Sequence, residues 1–224
     1  MPLVDTTACA VSLWDFEQQM VHPCKGEYAG VDEAGRGALA GPVVAAAVII
    51  GGRPEDWAGV TDSKALSKKQ RESLYSRIRE HALAVGVGMA DPLEIDDLNI
   101  LHASRLAMAR ALYQLKVIPD VALIDGPYPP LFPAETLPSI PVIDGDAKCL
   151  SIAAASIIAK VERDRIMAKL HIEYPEYRFD QNAGYPTASH LAALSEIGPS
   201  AIHRQSYKPV QRASQARLNL FGHE

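Results

Sequence analysis

Short apolar runs rich in β-branched residues alternate with longer amphipathic stretches along most of the chain. Runs of this length and composition favour strands, because branched side chains pack well on a pleated, buried surface. We predict strands at residues 28–34, 42–50, 83–90, 121–124 and 140–143. A Gly-rich bend separates the first two, so we expect them to pair as a hairpin.

The longer stretches place apolar residues on one helical face. In residues 67–82, for example, Leu74, Ile78 and Ala82 share a face, and Ser67 is a suitable N-cap. We predict helices at residues 67–82, 94–115, 151–170 and 187–196. Strands that come first and then alternate with helices favour a mixed sheet with helices on its faces. The prediction is one α/β domain with a helical C-terminal appendage.

Composition narrows the class of protein. The 224 residues are 48% hydrophobic and 22% charged, with a mean hydropathy of -0.02, which is typical of a globular chain and not of a disordered or fibrous one. The net charge of -5 argues against a protein that binds nucleic acid through general positive charge, while local basic patches remain compatible with such binding.

The sequence also bears on the cellular location. The first 20 residues contain no Lys or Arg, so they lack the charged start of a secretory signal. The longest apolar run, residues 38–50, is interrupted by Gly41 and Pro42 and is shorter than the about 20 residues of a membrane-spanning helix. The cysteines lack paired metal-site spacing, which predicts free thiols in a reducing compartment: Cys9, Cys24 and Cys149. We predict a cytoplasmic protein with no membrane partner.

Carboxylates cluster where the predicted strands end: Asp32, Glu33, Asp125, Asp144 and Asp146. Acidic groups brought to one sheet edge raise each other's pKa. Hard divalent cations such as Mg²⁺ remove that cost, because they prefer carboxylate oxygens, and two ions about 4 Å apart serve phosphodiester hydrolysis. Each acid alone also has a structural explanation, since Asp-Gly pairs form turns and Asp146 is a candidate helix cap. Together they favour a metal site.

Two further features are compatible with a phosphate or sugar ligand. Gly35-Arg36-Gly37 combines open backbone with a guanidinium, and such a loop can approach a ligand closely and bind a phosphate. A tight hairpin bend explains the same residues equally well. Tyr185, between Gly184 and Pro186, is either a stacking platform or a buried loop tyrosine.

Basic residues are unevenly distributed. Residues 61–80 contain six Lys or Arg against three acids, and residues 201–217 contain four with no acid. Such patches either follow a phosphate backbone or are solvated helix faces. The chain has no P-loop, no G-x-S-x-G, no H-E-x-x-H and no dinucleotide fingerprint, so those chemistries find no support.

In combination these segments resemble the bacterial type 2 ribonuclease H family (ribonuclease HII). The similarity covers about residues 10–210. The matching segments are 29–37 (AGVDEAGRG), 39–49 (LAGPVVAAAVI), 62–64 (DSK), Leu66-Ser67, Asp125-Gly126, Gly145-Asp146, 151–160 (SIAAASIIAK), 163–165 (RDR), 184–187 (GYPT), His190, 198–200 (GPS) and His203-Arg204. So many segments in one order are far more specific than any single motif.

The resemblance implies a fold and a reaction. The fold would be the ribonuclease H fold, a mixed five-stranded sheet flanked by helices, with a C-terminal helical part. The reaction would be endonucleolytic cleavage of RNA in RNA–DNA hybrids, and cutting 5′ of ribonucleotides embedded in duplex DNA, leaving 5′-phosphate and 3′-hydroxyl ends. The family's catalytic carboxylates fall on Asp32, Glu33, Asp125 and Asp146, which would bind two Mg²⁺ or Mn²⁺ ions.

The resemblance also implies substrate-binding residues. The family's glycine-arginine-glycine turn recognises the ribonucleotide 2′-hydroxyl and its junction with DNA, and its tyrosine packs on the neighbouring deoxyribose. Since the 2′-hydroxyl separates RNA from DNA, this role agrees with the chemistry of the loop. With residues from other matching segments included, the predicted substrate-binding set is Gly35, Arg36, Gly37, Ser63, Lys64, Tyr185 and Arg204.

The chain departs from the family pattern at two places. The family commonly has lysine two positions before the last catalytic aspartate, where this chain has Asp144, so the choice between Asp144 and Asp146 stays open. The usual Arg-Arg-Ser-Phe after the histidine is replaced by residues 204–207 (RQSY), which removes one basic residue.

We predict three regions: an N-terminal extension (1–26), the catalytic domain with its helical part (27–210) and a flexible tail (211–224). Residues 217–221 (RLNLF) resemble short Leu-x-Leu-Phe peptides that dock on bacterial sliding clamps. This predicts a clamp partner bound through Leu218, Leu220 and Phe221, the alternative being a disordered or core-docked terminus. Nothing resembles a coiled-coil seam, and we predict a monomer.

Two other functions remain open from the sequence. A catalytically weak module that binds RNA–DNA hybrids would use the same basic patches. A different nuclease or resolvase would use the same fold. Substitution of Asp125 separates the first alternative from an enzyme, and a panel of all-DNA and ribonucleotide-containing substrates separates the second.

Overall fold

The structure is a computed structural model that describes residues 6–22, 26–131 and 137–221, without the side chains of 217–221. Its strands are β1 (Tyr28–Ala34), β2 (Val43–Ile49), β3 (Ala84–Ala90), β4 (Val121–Asp125) and β5 (Ser139–Val142). They form one sheet in the order β3-β2-β1-β4-β5. Each predicted strand is present to within one residue at either end.

The pairing of the strands is mixed. β2 is antiparallel to both β1 and β3, whereas β4 is parallel to both β1 and β5. The predicted hairpin is therefore confirmed in β1 and β2. The predicted mixed five-stranded sheet is confirmed as well, and its parallel half places the carboxyl ends of β1 and β4 at one edge.

The predicted helices are confirmed to within three residues at either end, and the structure adds others. The helices are α1 (Thr6–Val21), α2 (Lys68–His81), α3 (Pro92–Tyr113), α4 (Leu150–Glu173), α5 (Phe179–Asn182), α6 (Ala188–Ile197) and α7 (Lys208–Phe221). Side-chain caps fix several starts. Ser67 and Asp91 form capping boxes at α2 and α3, and Thr187 caps α6, as expected for Ser, Thr and Asp at these positions.

The two faces of β2 show how the layers are built. Ala46 and Val48 pack in a core cluster with residues of α1, α2 and α4. Val43, Ala45 and their neighbours on the opposite face pack in a second cluster with α3. Because side chains alternate across a strand, a run that is apolar at every position indicates a strand buried on both faces.

Two glycines in β3 have a packing reason. A Cβ on Gly86 or Gly88 would collide with the backbone of α3, at the carbonyls of Ala111 and Ala107. The glycines that weaken the strand pattern in the sequence therefore allow α3 to lie close against β2 and β3 on one face of the sheet.

The C-terminal segment forms a helix in the structure. The structure makes it helical from Lys208 to Phe221, where a flexible segment was predicted from residue 211. The reason is packing: Val210 is fully buried and Ala213, one turn later, packs against the same C-terminal cluster. The side chains of Leu218, Leu220 and Phe221, which carry the clamp prediction, lie outside the described residues, as do residues 222–224.

The N-terminal segment contains a helix that the sequence analysis did not predict. Ala10 and Leu13 of α1 belong to the core cluster shared with α4, and Glu17 is fully buried. The three-region division remains a prediction. Cys9 and Cys149 are free thiols, whereas Cys24 lies outside the described residues. In the part of the chain that the structure describes, no helix combines the length and apolarity needed to cross a membrane.

Candidate active site

Parallel pairing of β1 and β4 brings two predicted catalytic residues side by side. The residues just before Asp32 and Asp125 are register partners, so these aspartates lie at the same sheet edge. Asp146 comes from the short 3-10 turn Gly145–Ala147 that precedes α4. The backbone N–H of Gly145 donates to Asp125 Oδ1 at 2.7 Å, which ties this turn to the end of β4. We call Asp32, Glu33, Asp125 and Asp146 the catalytic edge.

The charges of the catalytic edge act on one another. Burial raises the pKa of Asp32 well above its usual range, and the negative charges of Glu33, Asp125 and Asp146 raise it further. Burial also raises the pKa of Asp125, although the Gly145 N–H partly offsets this. Mutual repulsion of this kind arises only where like charges converge, and it is common at functional sites. The four predicted carboxylates are therefore brought together.

Glu33 carries an unmatched buried oxygen. Its side chain is 8% exposed, and Oε1 accepts a hydrogen bond from Arg36 Nη1 at 3.2 Å. Oε2 is buried with no hydrogen-bond partner among the described residues. Burial raises the pKa of Glu33 in spite of the Arg36 guanidinium. A buried carboxylate oxygen without a partner is costly, and a cation at the catalytic edge would supply one.

The structure separates Asp146 from Asp144. Asp146 is 8% exposed at its side chain, and Lys64 Nζ donates to its Oδ2 at 2.8 Å. Asp144 adopts the left-handed conformation with φ 54°, and its side chain is 76% exposed with Lys148 Nζ 3.7 Å away. The charge of Asp146 also raises the pKa of Asp32. Asp146 is therefore the member of the catalytic edge, whereas Asp144 faces solvent.

The donor set fits a hard divalent cation. Carboxylate oxygens suit Mg²⁺ and Mn²⁺ better than soft metals. In the described residues, no three His, Cys, Asp or Glu side chains stand close enough together to enclose a metal ion. The unpartnered buried oxygen of Glu33, and the burial and neighbouring negative charges that raise the pKa of Asp32, nevertheless favour a cation at this place. The catalytic edge is therefore the candidate set of metal ligands.

The predicted substrate loop continues directly from the catalytic edge. Gly35 has φ 100°, which disfavours any side chain, and a Cβ there would collide with the buried side chain of Arg163. The Arg36 side chain is 46% exposed, and Gly37 is exposed. Gly35 itself is buried, so the exposed part of the loop is Arg36, with its accessible guanidinium next to Glu33, and Gly37.

Tyr185 stands beside this loop. The position that a Cβ of Gly37 would take lies 4.0 Å from the Tyr185 ring. The ring is half-buried, with the Arg163 guanidinium 5.2 Å and Lys160 Nζ 5.7 Å from its centroid. We call the Gly35–Gly37 loop and Tyr185 the recognition wall.

Arg204 was predicted to bind substrate, but its side chain lies inside the protein. It is fully buried, and its guanidinium donates to the carbonyls of Gly35 at 2.7 Å, Arg36 at 2.9 Å and Gly41 at 3.0 Å. The Tyr207 hydroxyl donates to the Arg36 carbonyl as well, at 2.9 Å. Arg204 therefore supports the recognition wall from behind.

Ser63 is likewise internal, whereas Lys64 is not. Ser63 is buried, and its Oγ accepts a hydrogen bond from Ser156 Oγ at 2.6 Å. The Lys64 side chain next to it is 78% exposed even though its ammonium bonds Asp146. Ser63 thus braces the turn that presents Lys64, and Lys64 is the residue of this pair that can reach a substrate.

Part of the predicted basic patches is structural. Arg71 donates to the carbonyls of Ser63 and Leu66, and Arg77 donates to that of Ala58 at 2.9 Å. These arginines bind their own chain, so fewer cations than the sequence count remain to meet a phosphate backbone.

Sequence reasoning missed several buried polar residues around the site. Their roles depend on contacts with backbone carbonyls or with each other, which no spacing reveals. They are Glu17 of α1, Arg163 of α4, and the histidine pair His190 and His203.

Comparisons with known proteins identify a family and a fold. A sequence profile described as Ribonuclease HII matches residues 29–210. A Ribonuclease HII from Chlamydia trachomatis serovar L2 is 49% identical over 201 residues, which cover 89% of this chain and 90% of the relative. The crystal structure of ribonuclease H2 from Pyrococcus horikoshii OT3 matches with a TM-score of 0.69 and 29% identity, covering 85% of this chain and 99% of that one.

A second solved structure holds a partner. It is the complex of PCNA with RNase HII from Archaeoglobus fulgidus, which matches with a TM-score of 0.69 and 29% identity. The match covers 81% of this chain and 95% of that chain. The predicted architecture, a ribonuclease H fold with a C-terminal helical part, is confirmed by these likenesses.

Proposed function

Because the chain belongs to the ribonuclease HII family and is therefore a metal-dependent endonuclease acting on RNA–DNA hybrids, we propose that it also cuts duplex DNA 5′ of embedded ribonucleotides. The products would be 5′-phosphate and 3′-hydroxyl ends. The observation that carries the proposal is the convergence of four carboxylates at one sheet edge, next to a loop and a tyrosine suited to a sugar.

The four residues of the catalytic edge would hold two divalent ions, Mg²⁺ or Mn²⁺. When bound, such ions activate water and stabilise a leaving oxygen in phosphodiester hydrolysis. The chain's own groups keep the carboxylates in place: the Gly145 N–H holds Asp125, and the Glu33 N–H donates to Asp32 Oδ1 at 2.6 Å. None of these side chains needs to be the nucleophile.

Lys64 has a separate part in this proposal. In the structure its ammonium lies on Asp146 at 2.8 Å, where it offsets one negative charge. Its side chain is mostly exposed, so it can move to a substrate phosphate when a cation takes over that carboxylate. Lys64 would thus keep the site from excess negative charge and later bind the scissile strand.

The recognition wall would select the sugar. The exposed part of the Gly35–Gly37 loop, at Arg36 and Gly37, follows Glu33 closely in the chain, so a 2′-hydroxyl bound there is close to the catalytic edge. The Tyr185 ring, next to Gly37, would pack against the adjacent deoxyribose. This arrangement favours a ribonucleotide followed by DNA over a continuous RNA strand.

The test is cleavage of a labelled DNA duplex that contains one ribonucleotide, with Mg²⁺, Mn²⁺ or EDTA. We expect metal-dependent cutting on the 5′ side of the ribonucleotide. Asp125→Asn should abolish cleavage and keep binding to the duplex, whereas the matched variant Asp144→Asn, which changes an exposed carboxylate nearby, should cut normally. Cutting of long hybrids alone would overturn the junction proposal, and an active Asp125→Asn would overturn the assigned site.

We also propose a sliding clamp as a partner of the C-terminal segment, through Leu218, Leu220 and Phe221. The support is the Leu-x-Leu-Phe pattern in the sequence and the PCNA complex of the archaeal relative. Deletion of residues 217–224 should abolish retention on an immobilised bacterial clamp and leave cleavage of a short duplex intact. Undiminished retention would refute the partner. That the enzyme is a cytoplasmic monomer also stays a prediction.

A further inference from the structure

Two buried histidines lie behind the recognition wall. His190 of α6 and His203 are 0% and 1% exposed, and their Nε2 atoms are 3.0 Å apart. The rings of Tyr177 and Phe179 pack on both. Neither histidine belongs to the catalytic edge, and a buried pair of this kind needs an explanation.

The hydrogen bonds at the two ends of the pair fix where the protons are. The Ser200 backbone N–H donates to His203 Nδ1 at 3.0 Å, so that nitrogen carries a lone pair. The Tyr185 carbonyl, 2.9 Å from His190 Nδ1, can only accept, so that nitrogen carries a proton. Backbone groups cannot exchange these roles.

The hydrogen bond between the two rings follows from the protons at their outer nitrogens. His203 keeps its single proton on Nε2 and donates it to the bare Nε2 of His190. The sequence of donors therefore runs from Ser200 through His203 and His190 to the carbonyl of Tyr185. A second proton on His190 would set two N–H groups against each other at 3.0 Å, so both rings stay neutral.

The surroundings agree with neutral rings. No carboxylate in the described part of the chain bonds either ring. The contacts are the two aromatic rings, Ser200 and the backbone at Gly184 and Tyr185. Burial lowers the pKa of His203 to about 4, with the neighbouring His190 adding to the effect. Burial also lowers the pKa of His190, which its backbone hydrogen bonds partly offset.

The same segment also holds the other part of the recognition wall. His203 forms a bridge with Ala40, and the Arg204 N–H donates to the Leu39 carbonyl at 2.9 Å. The Arg204 side chain holds the Gly35–Gly37 loop. His203 and Arg204 are thus adjacent residues that connect, respectively, to Tyr185 and to the loop.

We propose that His190 and His203 are positioning residues that set Tyr185 relative to the Gly35–Gly37 loop, and so set the preference for a ribonucleotide followed by DNA. This inference rests on the proposed role of Tyr185. Loss of the His190 bond leaves the Tyr185 carbonyl with only the Thr187 N–H, at 2.8 Å, so Tyr185 is held less firmly and its contact with the deoxyribose weakens. The catalytic edge has no contact with the pair, so the preference changes more than the chemistry.

The first test is spectroscopic and needs only the wild-type protein. Long-range ¹H–¹⁵N NMR with ¹⁵N-histidine distinguishes the two neutral tautomers. We expect the Nδ1–H form for His190 and the Nε2–H form for His203, both unchanged from pH 8 to pH 6. An Nε2–H form of His190, or a cationic ring at pH 6, overturns the proposal without any reference to activity.

The second test separates positioning from structure. The readout is kcat/KM on a duplex with one ribonucleotide divided by kcat/KM on a uniform RNA–DNA hybrid. His190→Leu should lower this ratio about tenfold, the effect of one hydrogen bond. His190→Asn keeps a donor at the place of Nδ1 and should restore most of it. The exposed control His81→Asn should leave the ratio as it is.

A double-variant comparison identifies the route. In a Tyr185→Ala background, His190→Leu should lower the ratio no further, because the group it positions is gone. A further tenfold fall, or an equal loss on both substrates, contradicts positioning through Tyr185. If Tyr185→Ala alone leaves the ratio at the wild-type value, the proposed role of Tyr185 is wrong, while the NMR result still judges the histidine pair.

Discussion

The catalytic edge and the recognition wall are neighbours built on opposite principles. The catalytic edge gathers four carboxylates, and burial together with the charges of the other three raises the pKa of Asp32. One buried oxygen of Glu33 has no partner in the described structure. The supports of the recognition wall are buried cations and neutral rings whose donors meet carbonyls: Arg163 bonds Pro42 and Ala183, and Arg204 bonds Gly35. The catalytic edge is therefore short of positive charge, whereas the buried donors behind the recognition wall have hydrogen-bond acceptors within the protein.

This contrast shows which part of the site depends on a ligand. Repulsion at the catalytic edge costs folding free energy until a cation arrives. The satisfied bonds behind the recognition wall stabilise the fold with or without a ligand. Substitutions in the two regions should therefore have opposite effects on stability, and this contrast can be tested.

Asp32→Asn should give the largest effect on activity. It removes a candidate metal ligand, so cleavage should fall on the order of 10³-fold or more. Because the wild-type Asp32 is buried among three other carboxylates, the neutral amide should also raise the melting temperature measured without metal. A variant that is both inactive and less stable than wild type would contradict the view that the catalytic edge is under repulsion.

Arg204→Met should have the opposite effect on stability. It removes the donor from the carbonyls of Gly35, Arg36 and Gly41, and unsatisfied buried carbonyls should lower the free energy of unfolding by about 3 kcal/mol or more. Urea unfolding measures this, with the exposed Arg212→Met of α7 as the matched control. A loss as small as that of the control would remove Arg204 from the supports of the recognition wall.

The contrast between the regions also explains what the sequence could predict. Asp32 and Asp125 could be predicted from the sequence, because each follows an apolar run and the ends of parallel strands share one sheet edge. Both facts depend on the spacing of apolar residues and on the order of the elements. Arg204 was assigned to substrate because a cation in a basic segment carries no sign of burial. Its partners are carbonyls more than 160 positions away in the chain, and carbonyls are identical at every residue. The hydrogen-bonded pair of neutral histidines was not predicted for the same reason.

Helix α1 was not predicted for a related reason, and its buried Glu17 gives a further testable prediction. Glu17 is fully buried, with Oε2 accepting from the Ser151 N–H at 2.9 Å and from its hydroxyl at 2.8 Å. Burial raises the pKa of Glu17 from 4.5 to about 7. It therefore has the same conflict as the catalytic edge, a carboxylate out of water, but at a place where no substrate or metal is needed.

The sign of its pH dependence follows from the raised pKa. The folded state favours the protonated carboxyl, so its contribution to stability is full below about pH 4.5 and is lost as the pH rises through about 7. Between pH 5 and 8 the free energy of unfolding of the wild type should fall relative to Glu17→Gln by roughly 2–3 kcal/mol. Urea unfolding at each pH measures it, and Asp15→Asn on the exposed side of α1 should follow the wild type. Parallel curves for wild type and Glu17→Gln would show that Glu17 does not titrate with folding.

Lys64→Ala should give the smallest change in stability and still report on the charge balance of the catalytic edge. The Lys64 side chain is 78% exposed, so losing its ion pair with Asp146 should change the free energy of unfolding by less than about 1 kcal/mol. Removing the nearest positive charge leaves the catalytic edge with more uncompensated negative charge, so apparent affinity for Mg²⁺ should increase while KM for the duplex rises and depends less on salt. Lys68→Ala, a change of the same type at the start of α2, controls for general charge. An unchanged Mg²⁺ affinity together with an unchanged KM would mean that Lys64 is an ordinary surface ion pair, and that charge balance at the catalytic edge rests on Arg36 and the bound ions alone.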